Sequence, residues 1–320
     1  MNGIKREFEN LKVLIAEDDP VMQKLIAGII ETRGGIVNLA DNGNQAWNII
    51  KKEPIRFLIT DWNMPGMSGY DLIGKIRKEN QPYYTYIIFI TGRAEQSDIL
   101  RGLEIGADDY VTKPFQAQEL IARVAIGKRI LQFQRELEES KEKLYRLATR
   151  DSLTGLLNRR AWYQKLEKTL SDKKKIDEPV ALALLDIDHF KKINDSFGHQ
   201  IGDKVLARVA EIIGSNLRDT DLLARWGGEE FSIAFPGLDQ NSSKKILDRI
   251  RKQIAGSVIS LDSGSVEVAV RISGGLAEAS AQKGLYEIDE LILHADQALY
   301  RAKELGRNRI SNFSYDNLRN

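Results

Sequence analysis

The chain of 320 residues contains no cysteine, which excludes disulfides, thiolate metal sites and cysteine nucleophiles. It is nearly without net charge, with 47 Lys and Arg against 46 Asp and Glu for a formal +1. Broad attraction to nucleic acid or anionic membrane is therefore not expected, leaving room only for a local basic site. No apolar run is long enough to span a bilayer; "YIIFIT" and "VALALLDI" are strand-sized. The opening "MNGIKREFEN" lacks the apolar core of a secretion signal. These absences predict a cytoplasmic protein without membrane or nucleic-acid partners. There is no internal repeat or low-complexity tract. The GxxxxGK[ST] signature is also missing, so any nucleotide site is not a P-loop. At this length two separate cores are expected.

The first 125 residues alternate short apolar runs with amphipathic segments. "KVLIAE", "FLIT" and "IIFIT" read as buried strands, and "PVMQKLIAGIIETR" and "GYDLIGKIRKE" as helices. Such alternation predicts an α/β fold with a parallel sheet, whose ligands gather at the carboxyl ends of the strands. Glu17 and Asp18 follow the first strand and Asp61 ends the third. Converging there, three carboxylates would repel one another unless a divalent cation joined them, and an all-oxygen set suits Mg²⁺. A carboxylate beside Mg²⁺ can attack a phosphoryl group. Thr91 and Lys113, at the ends of two further strands, offer a hydroxyl and an ammonium to phosphate oxygens. Solvated loop acids are the competing reading.

From Ile126 to Arg150 the texture is helical. Apolar residues fall at Ile130, Phe133, Leu137, Leu144 and Leu147, an a/d seam interrupted at Ser140 and flanked by Glu, Lys and Arg. The seam fits either a dimerising stalk or a helix packed on its own domain.

After Arg150 the strand-like runs "VALALLDI", "LLARW", "FSIAF" and "VEVAVRIS" include hairpins, predicting a mixed or antiparallel sheet. "SDKKKIDEP" reads as a polar loop, and the tail after Arg309 as prone to fray. Asp186 and Asp188 close a buried strand, and Glu229 and Glu230 sit at a glycine hairpin able to lie beside it. Acids from two strands suggest a two-metal phosphoryl-transfer site, against the commoner case of solvated strand tips. Lys191 follows closely. Lys303 and Arg307 fall at i and i+4, on one expected helical face opposite Leu291, Ala295, Ala298, Ala302 and Leu305. Metal-binding acids with separate cations are what a nucleoside triphosphate requires.

Two resemblances sharpen this inventory. "LIAEDDP", "TDWNMPGMSG", "IIFITGRAE" and "DDYVTKPF" resemble the response-regulator receiver family across residues 11–125. The resemblance implies a flavodoxin-like five-stranded parallel sheet with Asp61 as phosphoacceptor. Glu17, Asp18, Asp61 and the Asn63 carbonyl would hold one Mg²⁺, Thr91 and Tyr110 would form the switch pair, and Lys113 would contact the phosphate. The usual first acid is Asp, so Glu17 is a departure that lengthens the reach. The Lys113–Pro114 bond is a candidate for cis.

"RDSLTGLLNRR", "LLDIDHFKKINDSFGHQIGD", "RWGGEEF", "ISGGLA" and "ADQALYRAKELGRNRI" resemble the GGDEF family of diguanylate cyclases, in its GGEEF variant, in order from residue 150 to about 310. The whole chain thus resembles a single-receiver response-regulator diguanylate cyclase: receiver 1–125, helical coiled-coil linker 126–150, and cyclase domain 151–320 with the mixed, largely antiparallel sheet of nucleotidyl cyclases. By this likeness Asp186, the Ile187 carbonyl, Glu229 and Glu230 would hold two Mg²⁺ per GTP, for which Mn²⁺ could substitute. Asn194 and Asp203 would read the guanine edge, with Gly227 and Gly228 admitting the phosphates and Lys191, Lys303 and Arg307 gripping them. Glu229, Glu230 and Lys191 would serve catalysis, with Glu229 assisting deprotonation of the attacking hydroxyl. Asp188 reads as an anchor, and His189 and His199 as packing or hydrogen-bonding residues. Arg218 and Asp221 of "RDTD", with Arg249, resemble an inhibitory product site.

The implied reaction joins two GTP into cyclic di-GMP and two pyrophosphates across a homodimer formed through receiver and linker, governed by a histidine kinase or phosphotransfer protein. The alternative is a catalytically inactive cyclic di-GMP-binding regulator. A receiver-linked DNA-binding regulator would call for a recognition helix and a basic patch, which the C-terminal motifs do not supply.

Overall fold

A computed structural model of the chain describes residues 7–79, 81–92, 96–171, 178–261, 266–279 and 288–314. The chain divides into two compact units, 1–141 and 142–320.

In the first unit, strands β1 (Lys12–Ala16), β2 (Ile36–Ala40), β3 (Phe57–Asp61), β4 (Tyr86–Thr91) and β5 (Asp109–Thr112) form one sheet in the order β2-β1-β3-β4-β5. Every pairing is parallel. All residues of β3 and β4 are buried, because helices cover both faces of a parallel sheet. Between the strands run α1 (Pro20–Glu31), α2 (Gly43–Lys52), α3 (Gly69–Lys78) and α4 (Gln96–Glu104). Polar caps fix where three of these begin: Asp19 accepts from the Val21 N–H, Asn42 from Gln45 and Ser68 from Asp71. Pro20 starts α1, where its missing N–H costs nothing. The strand order reverses between β1 and β3, which opens a crevice at their carboxyl ends.

Helix α5 runs from Ala117 to Thr149. No break separates residues 125 and 126, so the expected linker helix is the latter part of an element that begins inside the receiver fold. Its early turns bury Leu120, Val124, Gly127 and Leu131. At Gly127 a Cβ would stand 2.5 Å from the Tyr86 ring and 2.6 Å from that of Phe57, so glycine is what lets the helix lie on this aromatic pair. Farther along, Phe133, Leu137, Leu144 and Leu147 are 60–65% exposed.

In the second unit the main sheet has the order β13-β12-β7-β9-β8-β6, with β6 Leu157–Asn158, β7 Val180–Ile187, β8 Leu222–Gly227, β9 Glu230–Pro236, β12 Ile272–Ala279 and β13 Ile310–Asn312. The β12–β7, β7–β9 and β8–β9 pairings are antiparallel. The outer β13–β12 and β6–β8 pairings are parallel. A separate ribbon joins β10 (Val258–Leu261) to β11 (Val266–Ala269). Strand β7 alternates as its pleat requires. Ala181, Ala183, Leu185 and Ile187 face a core shared with α7 (Phe190–Phe197), α8 (His199–Ser215) and α9 (Gln240–Gly256). Val180, Leu182 and Leu184 face a second core with α6 (Arg159–Leu170) and α10 (Ile288–Glu304).

Three expectations change. "VEVAVRIS" is not one strand: Val270 and Arg271 leave the ladder, β11 pairs with β10, and β12 joins β7. The Arg271 carbonyl still accepts the N–H of Asp188 opposite it at 2.9 Å, so the run changes partners between Ala269 and Arg271. Residues just past Arg309 do not fray, since Ile310–Asn312 pair in register with Gly274–Leu276, while residues 315–320 of that tail lie outside the described residues. Helix α10 ends at Glu304, so Arg307 is not on its face, and Leu305 is exposed rather than packed with Leu291, Ala295, Ala298 and Ala302. Of the "SDKKKIDEP" loop, residues 172–177 lie outside the described residues.

Candidate functional site

Two clusters of acids stand at strand ends, one in each unit. In the first, Glu17 follows β1 and Asp61 ends β3, both buried, with Asp18 exposed beside them. Their carboxylate oxygens lie within 4.8 Å of one another, the one such group of three acids among the described residues. Lys113, just past β5, donates to Asp61 at 2.6 Å and to Glu17 at 2.9 Å. The Asn63 N–H donates to the second Asp61 oxygen at 3.0 Å. Burial pushes the Glu17 carboxyl above the usual range, and the Asp61 charge adds to this against the hydrogen bond from Lys113. Burial would lower the Lys113 ammonium, but its two carboxylate partners together hold it above its ordinary value.

Three hard oxygen donors, two of them buried, fit Mg²⁺. Thr91 ends β4, buried, and its carbonyl accepts the Lys113 N–H at 2.7 Å. Tyr110 lies on β5 with its ring stacked on Phe89 at 5.8 Å. The Lys113–Pro114 bond is cis.

In the second unit, Asp186 near the end of β7 lies directly opposite Glu230, the first residue of β9. Glu229 occupies the intervening turn after Gly227, and its carbonyl accepts the Ile187 N–H at 3.4 Å. Gly228 makes the turn with φ of 54°, a conformation an L side chain seldom takes. Burial raises the Asp186 carboxyl against the opposing pull of Lys303, whose Nζ stands 2.8 Å from Oδ2, and the charges of Glu229 and Asp188 add to the rise. Glu230 is raised by burial and then by the Asp186 charge. Adjacent carboxylates held at such a cost are a fit for divalent cations. Asp188 has both oxygens engaged, one by Ser273 Oγ at 2.7 Å and the other by the Asn308 N–H at 2.9 Å.

Asn194 lies on α7 and Asp203, exposed, on α8. The Oδ1 of Asn194 is buried against Gly202 without a hydrogen-bond partner. Lys191 is exposed on α7. Arg307 stands beyond α10 at φ of 61°, also exposed. In the loop after α8, Arg218 Nη2 meets Oδ1 of the fully buried Asp221 carboxylate at 2.8 Å. Arg249 on α9 bonds the carbonyl and side chain of Asn216 at 3.0 and 3.1 Å, which brings it to the same loop.

Sequence reading passed over three residues that shape this site. Arg225 donates to the Gly228 carbonyl at 2.9 Å and to Asp151 at 3.2 Å, tying the glycine turn to the start of the unit. Gly202 leaves the room that Asn194 needs, since a Cβ there would stand 1.9 Å from its Oδ1. Gly275 lets α10 lie against β12. Arg225 could have been found from its place in the "RWGGEEF" run; the two glycines signal nothing until the backbone is folded.

A receiver-type parallel sheet with an acid crevice, followed by a mixed sheet with acids at a glycine hairpin, defines a two-part signalling protein. The family model for the diguanylate cyclase GGDEF domain matches residues 148–309, and that for the response regulator receiver domain matches residues 13–125. The chain belongs to the GGDEF diguanylate cyclase family and carries a response-regulator receiver domain. It is similar to the response regulator PleD of Caulobacter vibrioides, 32% identical over 257 residues, which cover 80% of this chain and 56% of PleD. The diguanylate cyclase DgcP of Pseudomonas aeruginosa is 38% identical over 178 residues, 56% of this chain and 25% of that protein. The chain thus spans about half or less of the length of these relatives. The coiled coil and GGDEF domain of DgcB from Caulobacter crescentus, solved in complex with c-di-GMP, superposes with a TM-score of 0.53 at 34% identity, covering 60% of this chain and 98% of that one.

Proposed function

We propose that the protein is a diguanylate cyclase that condenses two GTP into cyclic di-GMP and two pyrophosphates, under the control of phosphorylation at Asp61. The observation that carries the reading is the juxtaposition of Asp186 with Glu230 and Glu229 at the glycine turn, with Lys303 beside them. Asp186, the Ile187 carbonyl, Glu229 and Glu230 would hold Mg²⁺, which when bound supplies charge stabilisation at the triphosphate. Lys303, Lys191 and Arg307 supply cations for the phosphates. Asn194 and Asp203 read the guanine edge, the exposed carboxylate of Asp203 suiting the N1 and N2 hydrogens that adenine lacks. Gly228 keeps the turn free of side chain where phosphate would pass. Glu229 assists removal of the 3′-hydroxyl proton.

One such site binds one GTP, so the reacting 3′-hydroxyl must come from a nucleotide on a second copy, aligned at close range. The uncovered apolar seam of α5 supports pairing of two chains along that helix. In the receiver, Asp61 is the nucleophile toward a phosphodonor, Glu17 and Asp18 join it in holding Mg²⁺, and Lys113 neutralises the phosphoryl oxygens. Thr91 and Tyr110 respond to the new charge. Arg218, Asp221 and Arg249 form a product site, where arginine suits guanine O6 and N7 and the carboxylate suits the opposite edge.

The test is to incubate the chain with GTP and Mg²⁺ and follow cyclic di-GMP and pyrophosphate. The expected result is a 1:2 ratio of the two, with Asp186→Asn lowering the rate by at least about a hundredfold. Binding of cyclic di-GMP with no turnover would identify an inactive sensor instead.

A further inference from the structure

Helix α10 hands over to β13 through three successive left-handed residues, with φ of 107° at Gly306, 61° at Arg307 and 47° at Asn308. Glycine takes this conformation freely and asparagine tolerates it, but arginine adopts it seldom and at a cost. Such a segment persists only where its surroundings over-determine it. Here the restraints come from three directions. The Asn308 N–H donates to Oδ2 of buried Asp188 at 2.9 Å, and Ser273 holds the other oxygen of that carboxylate. The Asn308 side-chain oxygen accepts from Arg251 Nη1 at 3.2 Å. Arg251, on α9, is largely buried and is itself braced by Asp248 at 3.3 Å. On either side the Arg307 N–H bonds the Ala302 carbonyl and the Arg309 carbonyl accepts from Gly274. At the apex of this tied-down segment the Arg307 side chain is exposed.

We propose that Arg251 and Asn308 are positioning residues for Arg307, fixing the strained backbone that aims its guanidinium at the nucleotide's phosphates. Among the described residues, partly buried Arg251 on α9 is engaged by the Asn308 side chain and by its brace, Asp248, alone. Asparagine is the residue that can both occupy the left-handed region and present an acceptor to Arg251. The proposal rests on Arg307 being a phosphate-binding cation.

The experiment is calorimetric binding of a non-hydrolysable GTP analogue with Mg²⁺ to the full chain, with guanosine as the phosphate-free comparison. Arg307→Ala is expected to weaken the analogue about tenfold, as loss of a charge-assisted contact does, with guanosine binding unchanged. Arg251→Met should produce most of that loss, also without moving guanosine. Added to Arg307→Ala it should do nothing further beyond about twofold, because the two act through one contact. Arg251→Lys, which keeps a donor, should recover part of the affinity. Asn308→Gly retains the backbone freedom while deleting the acceptor and carries the same expectation should Arg251→Met fail to fold.

The proposal is overturned if Arg307→Ala weakens the analogue while Arg251→Met and Asn308→Gly do not, if the losses multiply in the double variant, or if guanosine binding falls equally. If Arg307→Ala itself leaves the analogue's affinity unchanged, the phosphate-clamp reading fails and the positioning role falls with it.

Discussion

At Asp151, burial opposes the charge, but hydrogen bonds from the Thr154 hydroxyl and N–H, with the charge of Arg225, hold the carboxyl below its ordinary value. The folded state therefore binds that proton less tightly than the unfolded chain. Its contribution to stability is present above the ordinary aspartate range and is lost as pH falls through the depressed folded value. Asp151→Asn should accordingly have a lower urea midpoint than the wild type near neutrality, and the gap should close on acidification. A gap that stays constant with pH would show that the charge is not what stabilises. The site acids run the other way. Burial and like charge lift Asp186 and Glu230, so their ionised forms cost stability in exchange for a place to hold cations. The acids themselves were legible in the sequence because carboxylates at the end of an apolar run advertise a strand tip. Arg251 was not, because its role is set by a partner distant in the chain, Asn308, and for Arg225 the "RWGGEEF" run marks the residue but not its distant partner, Asp151.

Among the elements, the docking of α10 on β12 decides where Lys303 meets Asp186. At Gly275 a Cβ would stand 2.0 Å from the Ala295 carbonyl oxygen and 2.1 Å from the Leu299 nitrogen. Both obstacles are backbone, so the whole helix would have to move. Gly275→Ala should destabilise the protein by about 3 kcal/mol, the upper end of overpacking costs, whereas Gly256→Ala, which faces open space, should stay within about 0.5 kcal/mol. Equal denaturation midpoints for the two variants would contradict this packing. The strands were readable from their apolar runs, and "VALALLDI" coincides with β7 from end to end. What periodicity could not reveal was the division of "VEVAVRIS" between two sheets. Nor could it place the end of α10 at Glu304: Leu305 and Arg307 continue a helical spacing that the positive φ of Gly306 interrupts.

For the whole molecule, the features that bear on control are the acid crevice around Asp61 and the seam on α5. Phe133, Leu137, Leu144 and Leu147 leave a row of apolar side chains uncovered on a helix whose early turns are packed into the receiver core. A stripe of this kind along one helix is the form a paired helix takes, and pairing is what a reaction between two bound GTP molecules requires. The helical character of this stretch was visible in its spacing; its origin at Ala117, inside the receiver fold, was not, because nothing in the sequence marks a break or its absence at residue 125. The proposed control of the enzyme is that Asp61 phosphorylation governs cyclase pairing. It is tested most directly by the rate of cyclic di-GMP formation per chain across protein concentrations, with and without beryllofluoride, for the wild type and a Leu137→Glu/Leu144→Glu variant. The predicted result is a rate that rises with concentration, a curve that beryllofluoride shifts or lifts, and a variant that needs about tenfold more protein to reach the same rate, as loss of roughly 1.4 kcal/mol of association free energy would give. A rate per chain independent of concentration, identical with and without beryllofluoride and unchanged in the variant, would contradict it.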